Sequence, residues 1–290
     1  MRLSRRVALT TLSLVSAASL AACGGGSSSS STASANDAGA SSAATAGASG
    51  TVSGEITVFA AASLQDSFEE IAKDFKADNP DASVTFDFEG SQDLVSALAE
   101  GSAADVLATA NSSTMKDAAD QGLVGEQTEF ATNALTLIVP EGNPAGVTGL
   151  NGTLKHADLV VCAPEVPCGA ATVKLEKELG VTLAPVSEEQ KVTDVRGKVE
   201  SGEADAGIVY ATDAKDAGDA VETVALPAND VINHYPIAVT KDAKNAAAAQ
   251  AFVDYVLSRS GQTVLQGTYG FGAPGAGADA SRSASPATTK

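Results

Sequence analysis

The sequence predicts an α/β protein whose mainly parallel sheet is covered by helices on both faces. Three observations predict it. Short runs of β-favouring residues, such as Ile56-Thr57-Val58-Phe59 and Leu159-Val160-Val161-Cys162, alternate with amphipathic helical stretches. Strands give way to helices through small residues and a serine, as at Ala60-Ala61-Ala62-Ser63 and at Gly90-Ser91. Alanine is abundant and there are 27 glycines among 290 residues, a composition that lets helices pack closely on a sheet.

Taken in order, Ile56, Val58 and Phe59 read as a short buried strand. Ser63 then stands before a helix with Phe68, Ile71, Ala72 and Phe75 on one face, and Ser63-x-x-Asp66 has capping-box spacing, so Ser63 is placed as an N-cap. Asn79-Pro80 ends that helix, and Ser83 to Phe88 alternates as a strand. Gly90-Ser91 opens a second helix with Leu94, Val95, Leu98 and Ala99 on its apolar face. Asp105 to Thr109 is a buried strand, followed by a helix from about Ser112 to Ala119. The extended run Ala131 to Val139 leads out of a first lobe and ends at Pro140. In the second lobe, Leu159 to Ala163 is a strand, and Pro167-Cys168-Gly169 precede a helix from about Ala170 to Leu179. Thr193-Asp194-Val195 begins another helix with Asp194 as its N-cap, and Asp205 to Tyr210 is a strand ending in a tyrosine. Asn233 to Val239 carries the chain back, and a helix from about Asn245 to Leu257 and a short helical piece from Gln262 to Leu265 close the fold.

The two ends read differently. Arg2, Arg5 and Arg6 precede an apolar stretch, Val7 to Ala22, that is too short to span a membrane. Leu20-Ala21-Ala22-Cys23 resembles a bacterial lipoprotein cleavage box, which implies removal of residues 1–22 and lipid attachment to Cys23. An ordinary cleaved leader is the alternative. Residues 23–53 are Gly, Ser, Ala and Thr with almost no large apolar side chain, a flexible tether, and residues 273–290 are expected to be disordered. Cys162 and Cys168, with five residues between them in an exported chain, read as a disulfide, with a zinc site that enlists His156 as the alternative.

Charge and inventory exclude several classes. A net charge of −18 argues against nucleic acid or an anionic membrane surface as partner. Tryptophan is absent and aromatics make up 4%, so stacking on sugars or bases is not the mode of recognition. The two histidines, His156 and His234, lie in no metal-ligand or nucleophile motif, and phosphate-loop, dinucleotide and hydrolase fingerprints are missing. No enzyme, no cofactor and no direct metal-ligand residue is expected. What remains is a set of neutral donors, serine hydroxyls and backbone amides, at strand-to-helix junctions. These suit a small oxyanion. The negative total charge does not oppose this, because exposed charges beyond a Debye length of about 8 Å are largely screened.

Ile56-Thr57-Val58-Phe59-Ala60-Ala61-Ala62-Ser63-Leu64 resembles the opening of the mature molybdate-binding proteins of bacterial ABC importers. The resemblance continues through Gly90-Ser91, Ala104-Asp105-Val106, Val166-Pro167-Cys168-Gly169, Asp194-Val195-Arg196-Gly197 and Gly207 to Asp213, and covers nearly everything from Gly54 to Gly272. It implies a two-lobed periplasmic-binding-protein fold (type II) with two crossing strands as hinge. Lobe 1 then takes residues 54–131 and 237–272, and lobe 2 takes 132–236. It implies a molybdate or tungstate ligand, delivery to a membrane permease, and a monomer. The implied ligand set is the hydroxyls and backbone N–H groups of Ser63 and Ser91, the backbone N–H groups of Cys168 and Val195, and the Tyr210 hydroxyl. The family commonly has alanine where this chain has Cys168, so a bridge to Cys162 would fix a donor loop. Arg196 is expected to serve lobe structure or the permease interface rather than the anion. The alternatives are another tetrahedral oxyanion such as sulfate or phosphate, an exported hydrolase, or a sensor.

Overall fold

Ile56 and Val58 face inward while Glu55 stays exposed, and this alternation makes β1 (Gly54–Ala61), whose last four residues are buried on both sides. In the computed structural model the described residues are 52–277. The expected leader, Cys23 as the expected lipid site, nearly all of the expected tether and the tail beyond residue 277 lie outside them.

After β1 come a 3-10 turn (Ala62–Leu64), α1 (Gln65–Asp78), β2 (Ala82–Glu89), α2 (Ser91–Ala99), β3 (Val106–Ala108) and α3 (Ser112–Asp120). Strands β2, β1 and β3 are parallel neighbours in that order. The long strand β4 (Val124–Pro140) then crosses to the second lobe, which holds β5 (Leu159–Cys162), α4 (Pro167–Leu179), β6 (Ser187–Glu189), α5 (Val192–Glu200), β7 (Ala206–Tyr210), α6 (Ala211–Asp216) and β8 (Val221–Val224). Here β6, β5 and β7 are the parallel set. Strand β9 (Ile232–Thr240) returns beside β3, and α7 (Ala246–Leu257), α8 (Arg259–Gln262) and a π-helical turn (Thr263–Tyr269) follow.

The crossing strands run antiparallel to their neighbours, which makes the sheet mixed. β4 pairs with β9 up to Ala134 and with β7 from Leu135 onward, so one strand changes partner between lobes without a break. At the changeover Asn133 lies opposite Asn233. In the first lobe Phe68 packs on Phe130 and Phe252 at ring distances of 5.6 and 6.1 Å. The aromatic stack continues through Tyr235, 6.2 Å from Phe130, to Tyr210, 5.9 Å further on. An apolar core therefore runs from lobe 1 to the floor between the lobes.

Two capping assignments are corrected. Ser63 is not an N-cap: the 3-10 turn starts one residue earlier behind Ala61, and α1 itself follows Leu64. The Ser63 hydroxyl, released from the backbone, pairs instead with Tyr235. Asp194 is likewise inside the first turn of α5, whose N-cap is the extended Lys191. The tight turn puts the N-cap of α1 one residue beyond Ser63, and the N-cap of α5 lies three residues ahead of the one expected at Asp194.

Smaller differences have local causes. β4 begins at Val124, ahead of the run read from Ala131, because residues 124–129 pair with β9 despite their polar sequence. β6 is three polar residues and carries no periodic signal of its own. Past Gly272, Thr132 Oγ1 donates to the Ala273 carbonyl and the Gly275 N–H donates to Glu129, so the chain is held against β4 as far as this contact.

Candidate functional site

Four helical starts meet at one crevice between the lobes. From the first lobe come the 3-10 turn at Ala62 and Ser63, and the start of α2 at Gly90 and Ser91. The second lobe supplies the start of α4 at Val166, Pro167 and Cys168, and the start of α5 at Lys191 and Val192. Ala61, Ala110 and Tyr210 complete the lining, and the crevice holds about 210 Å³ of atom-free space, counting the part open to solvent.

None of these four starts has a side-chain cap. By contrast, the starts of α3, α7 and α8, which do not line the crevice, are capped by Asn111, Asn245 and Ser258. The first amides of a helix have no intrahelical acceptor, and each helix end carries a partial positive charge. The uncapped ends are therefore gathered where a ligand can supply the acceptors.

The hydroxyls are arranged to match. Ser91 is buried, and its Oγ accepts the Ala110 N–H at 3.0 Å, which leaves its proton available to the crevice. Ser63 is buried with its Oγ 3.1 Å from Tyr235 Oη. Tyr210 ends β7, and its Oη accepts from Asn233 Nδ2 at 2.6 Å. Burial holds the phenols of Tyr210 and Tyr235 well above their ordinary value, so both remain neutral hydroxyls.

Cys168 sits at the second position of α4 and is bonded to Cys162 at the end of β5, as the cysteine spacing suggested, with Cα atoms 5.7 Å apart. Among the described residues no group of side chains suits a metal ion, so the zinc alternative at His156 finds no support. Gly169 lets this turn close: a Cβ there would lie 1.8 Å from the Ala163 carbonyl oxygen. Val195 does not line the crevice. Its side chain is fully buried against Gly207, and α5 meets the crevice one turn earlier, at Val192. Ser63, Ser91, Cys168 and Tyr210 are thus brought together, while Val195 stands behind them.

Charges at the rim are paired across the lobes. Lys191 Nζ lies 3.0 Å from Glu89 Oε2, a contact that raises the lysine pKa. Arg196 reaches Asp66 of the first lobe at 3.9 Å and Asp216 of the second at 4.0 Å, with Glu200 at 3.2 Å but out of hydrogen-bond alignment. Burial is the main cause that pushes the Asp213 and Asp216 carboxyls up to about 7. The lobes also touch directly, since a Cβ on Gly90 would sit 2.5 Å from the Gln190 carbonyl oxygen. Among the described residues no carboxylate lines the crevice itself.

Sequence reasoning missed Asn233, Tyr235 and Lys191. Asn233 and Tyr235 are buried and two apart on β9, so they share a face. Polar residues at core-facing positions of a strand were the available signal; Lys191 gave none.

A family model described as bacterial extracellular solute-binding protein matches residues 56–272. The chain is 44% identical over 222 residues to the molybdate-binding protein ModA of Mycobacterium tuberculosis, covering 76% of this chain and 85% of that one. The periplasmic molybdate-binding protein of Azotobacter vinelandii shares the fold with a TM-score of 0.66 at 18% identity, covering 76% of this chain and 99% of that one. The sulfate-binding protein SubI of Mycobacterium tuberculosis does so with a TM-score of 0.65 at 19% identity, covering 80% and 92%. These two likenesses establish the fold alone.

Proposed function

Because the chain belongs to the family of bacterial extracellular solute-binding proteins, we propose that it captures molybdate or tungstate between its lobes and delivers the anion to the permease of an ABC importer. The observation that carries the reading is the gathering of uncapped helix starts and buried neutral hydroxyls at one crevice. A tetrahedral dianion offers only acceptors, and this lining offers donors. Its 44%-identical relative is named for molybdate, which selects among the oxyanions this chemistry allows.

In this reading Ser63 and Ser91 each give a hydroxyl and an N–H, Cys168 gives its N–H, and Tyr210 gives its hydroxyl. The second-lobe helix α5 contributes backbone N–H groups from its first turn through Val195, whose side chain is committed to the core. Lys191 is occupied by Glu89, so the anion is held by dipoles and hydrogen bonds rather than by a counter-ion. No cofactor takes part. The mature chain acts outside the cytoplasm as a monomer, held to the membrane by lipid on Cys23.

A protonated oxyanion fits less well, because hydrogen phosphate has to donate a proton and, among the described residues, no carboxylate lines the crevice to accept it. Sulfate, unprotonated at neutral pH, is the closer competitor and differs in size.

Thermal unfolding of the chain from Gly54 onward, with each anion in excess, tests the proposal. At about 100 times its dissociation constant a ligand stabilises by about 2.7 kcal/mol, a shift of roughly 5–10 °C for a domain of this size. Molybdate and tungstate are expected to give that shift. A shift with sulfate alone overturns the ligand assignment.

A further inference from the structure

Asn233 lies on β9 at the point where the two crossing strands exchange lobes, opposite Asn133, and is almost completely buried. Its side-chain amide nitrogen faces three oxygens: Tyr210 Oη at 2.6 Å, the Ala110 carbonyl at 2.8 Å and the Pro167 carbonyl at 3.3 Å. An NH2 group has two protons, so the two short contacts take one each and the long one shares. The orientation of the amide is fixed by chemistry, since the carbonyl end of the side chain turned this way would face two other carbonyl oxygens.

The three acceptors come from different parts of the crevice. Ala110 follows β3 in the first lobe, and its own N–H donates to Ser91 Oγ. Pro167 is the first residue of α4 in the second lobe, next to Cys168. Tyr210 ends β7 of the second lobe. One amide therefore connects the serine of one lobe, by way of Ala110, with the tyrosine of the other.

A phenol that accepts from Asn233 has turned its proton away from Asn233. The Tyr235 hydroxyl, close enough to perturb Tyr210, and an anion in the crevice are then the competing acceptors. A dianion is the stronger one, because hydrogen bonds to charged acceptors are roughly twice as strong as neutral ones.

Resting on the proposed function, we infer that Asn233 is a positioning residue for the anion: its amide, bound at once to Ala110 of one lobe and to Tyr210 and Pro167 of the other, turns the Tyr210 hydroxyl into a donor aimed at the ligand when the lobes are closed. Asn233 does not touch the anion. It acts through Tyr210, and its contacts to both lobes tie that donor to closure.

The test is a double-mutant cycle read by calorimetric titration with molybdate, with the unfolding midpoint of each unliganded variant measured alongside. Tyr210→Phe removes the donor, and Asn233→Ala removes the group that aims it. Each is expected to weaken binding about tenfold. The double variant is expected to lose about tenfold as well, rather than the product of about a hundredfold, because the second change removes an effect already gone. Asn233→Leu, which keeps the volume without polar atoms, repeats the cycle should the alanine variant fold poorly. Losses that multiply overturn the inference, since a residue that merely supports the fold loses affinity independently of Tyr210. Wild-type affinity in Asn233→Ala or Asn233→Leu overturns it too, while wild-type protein that binds molybdate keeps the proposed function intact. A wild-type chain that takes no molybdate overturns both.

Discussion

Lys191 Nζ sits 3.0 Å from Glu89 Oε2, so the one cation that lines the crevice among the described residues is paired with a carboxylate from the opposite lobe. Both side chains are partly exposed, and such pairs are worth at most about 1 kcal/mol. Their effects on the ligand should differ in sign. Lys191→Met leaves Glu89 unpaired beside an incoming dianion and should weaken molybdate binding by about threefold. Glu89→Gln frees the lysine and should leave affinity unchanged or improved. Titration of both variants decides the matter; equal weakening would mean that the pair acts only as a latch between lobes.

The two serines should separate into different phenotypes. Ser63 shares its hydroxyl with Tyr235, whereas Ser91 also satisfies the Ala110 N–H. Loss of a hydrogen bond to a charged ligand costs about 1.5–3 kcal/mol, roughly a tenfold to hundredfold loss of affinity, and this is expected of Ser63→Ala and Ser91→Ala alike. Only Ser91→Ala also strands a buried amide, so only it should lower the unfolding midpoint of the empty protein clearly. Calorimetric titration and thermal unfolding of the same two variants read both effects.

The Cys162–Cys168 bridge closes a short loop that ends on a crevice residue. Chain-entropy reasoning gives about 2 kcal/mol of stabilisation for so short a loop. Cys162→Ser with Cys168→Ser should lower the unfolding midpoint accordingly. If the bridge also pre-organises the Cys168 amide, molybdate affinity should fall, by less than tenfold because Gly169 still holds the turn against Ala163. Unchanged affinity in the double variant would show that packing alone sets the loop.

Asp213 and Asp216 give the protein a pH response of known sign. Each carboxyl is pushed up to about 7 from 3.8, chiefly by burial; Asp66 adds to both rises and Asp216 to that of Asp213, while Arg196 opposes both. The folded state therefore holds more protons than the unfolded chain between those two values. Stability from these groups is fully present below about 4 and is lost as pH rises through about 7. The unfolding midpoint of Asp216→Asn, compared with the parent chain at pH 5.5 and pH 8, should fall less over that interval. A steeper fall in the variant would contradict this assignment.

Much of the fold was legible because its signals are local. Alternation in Ile56 to Ala60, the apolar stripe of Phe68, Ile71 and Phe75, and the small residues before Ser91 each report on their own neighbourhood. Ser63 and Ser91 stood out for the same reason, since each stands at a strand-to-helix junction, whereas Cys168 and Tyr210 were named as donors by family resemblance. Capping failed where the register of a first turn decides the outcome: a serine one residue inside a 3-10 turn looks in sequence like a serine that caps a helix. Asn233, Tyr235 and Lys191 take their roles from residues 23 to 172 positions away in the chain, and no local pattern encodes such a meeting. Val195 was placed by family resemblance, and its side chain lies behind the lining because α5 begins earlier than its polar residues suggested.

Competition between anions shows whether neutral donors hold one fully deprotonated metal oxyanion between the lobes. The chain from Gly54 onward is equilibrated with molybdate, sulfate and phosphate together at equal concentration, freed of unbound anion, and analysed for molybdenum, sulfur from sulfate and phosphorus. One molybdenum per chain is expected, with sulfate and phosphate excluded, and loss of that molybdenum in Ser63→Ala with Ser91→Ala. Retention of sulfate or phosphate in place of molybdenum, or of no anion at all, would contradict it.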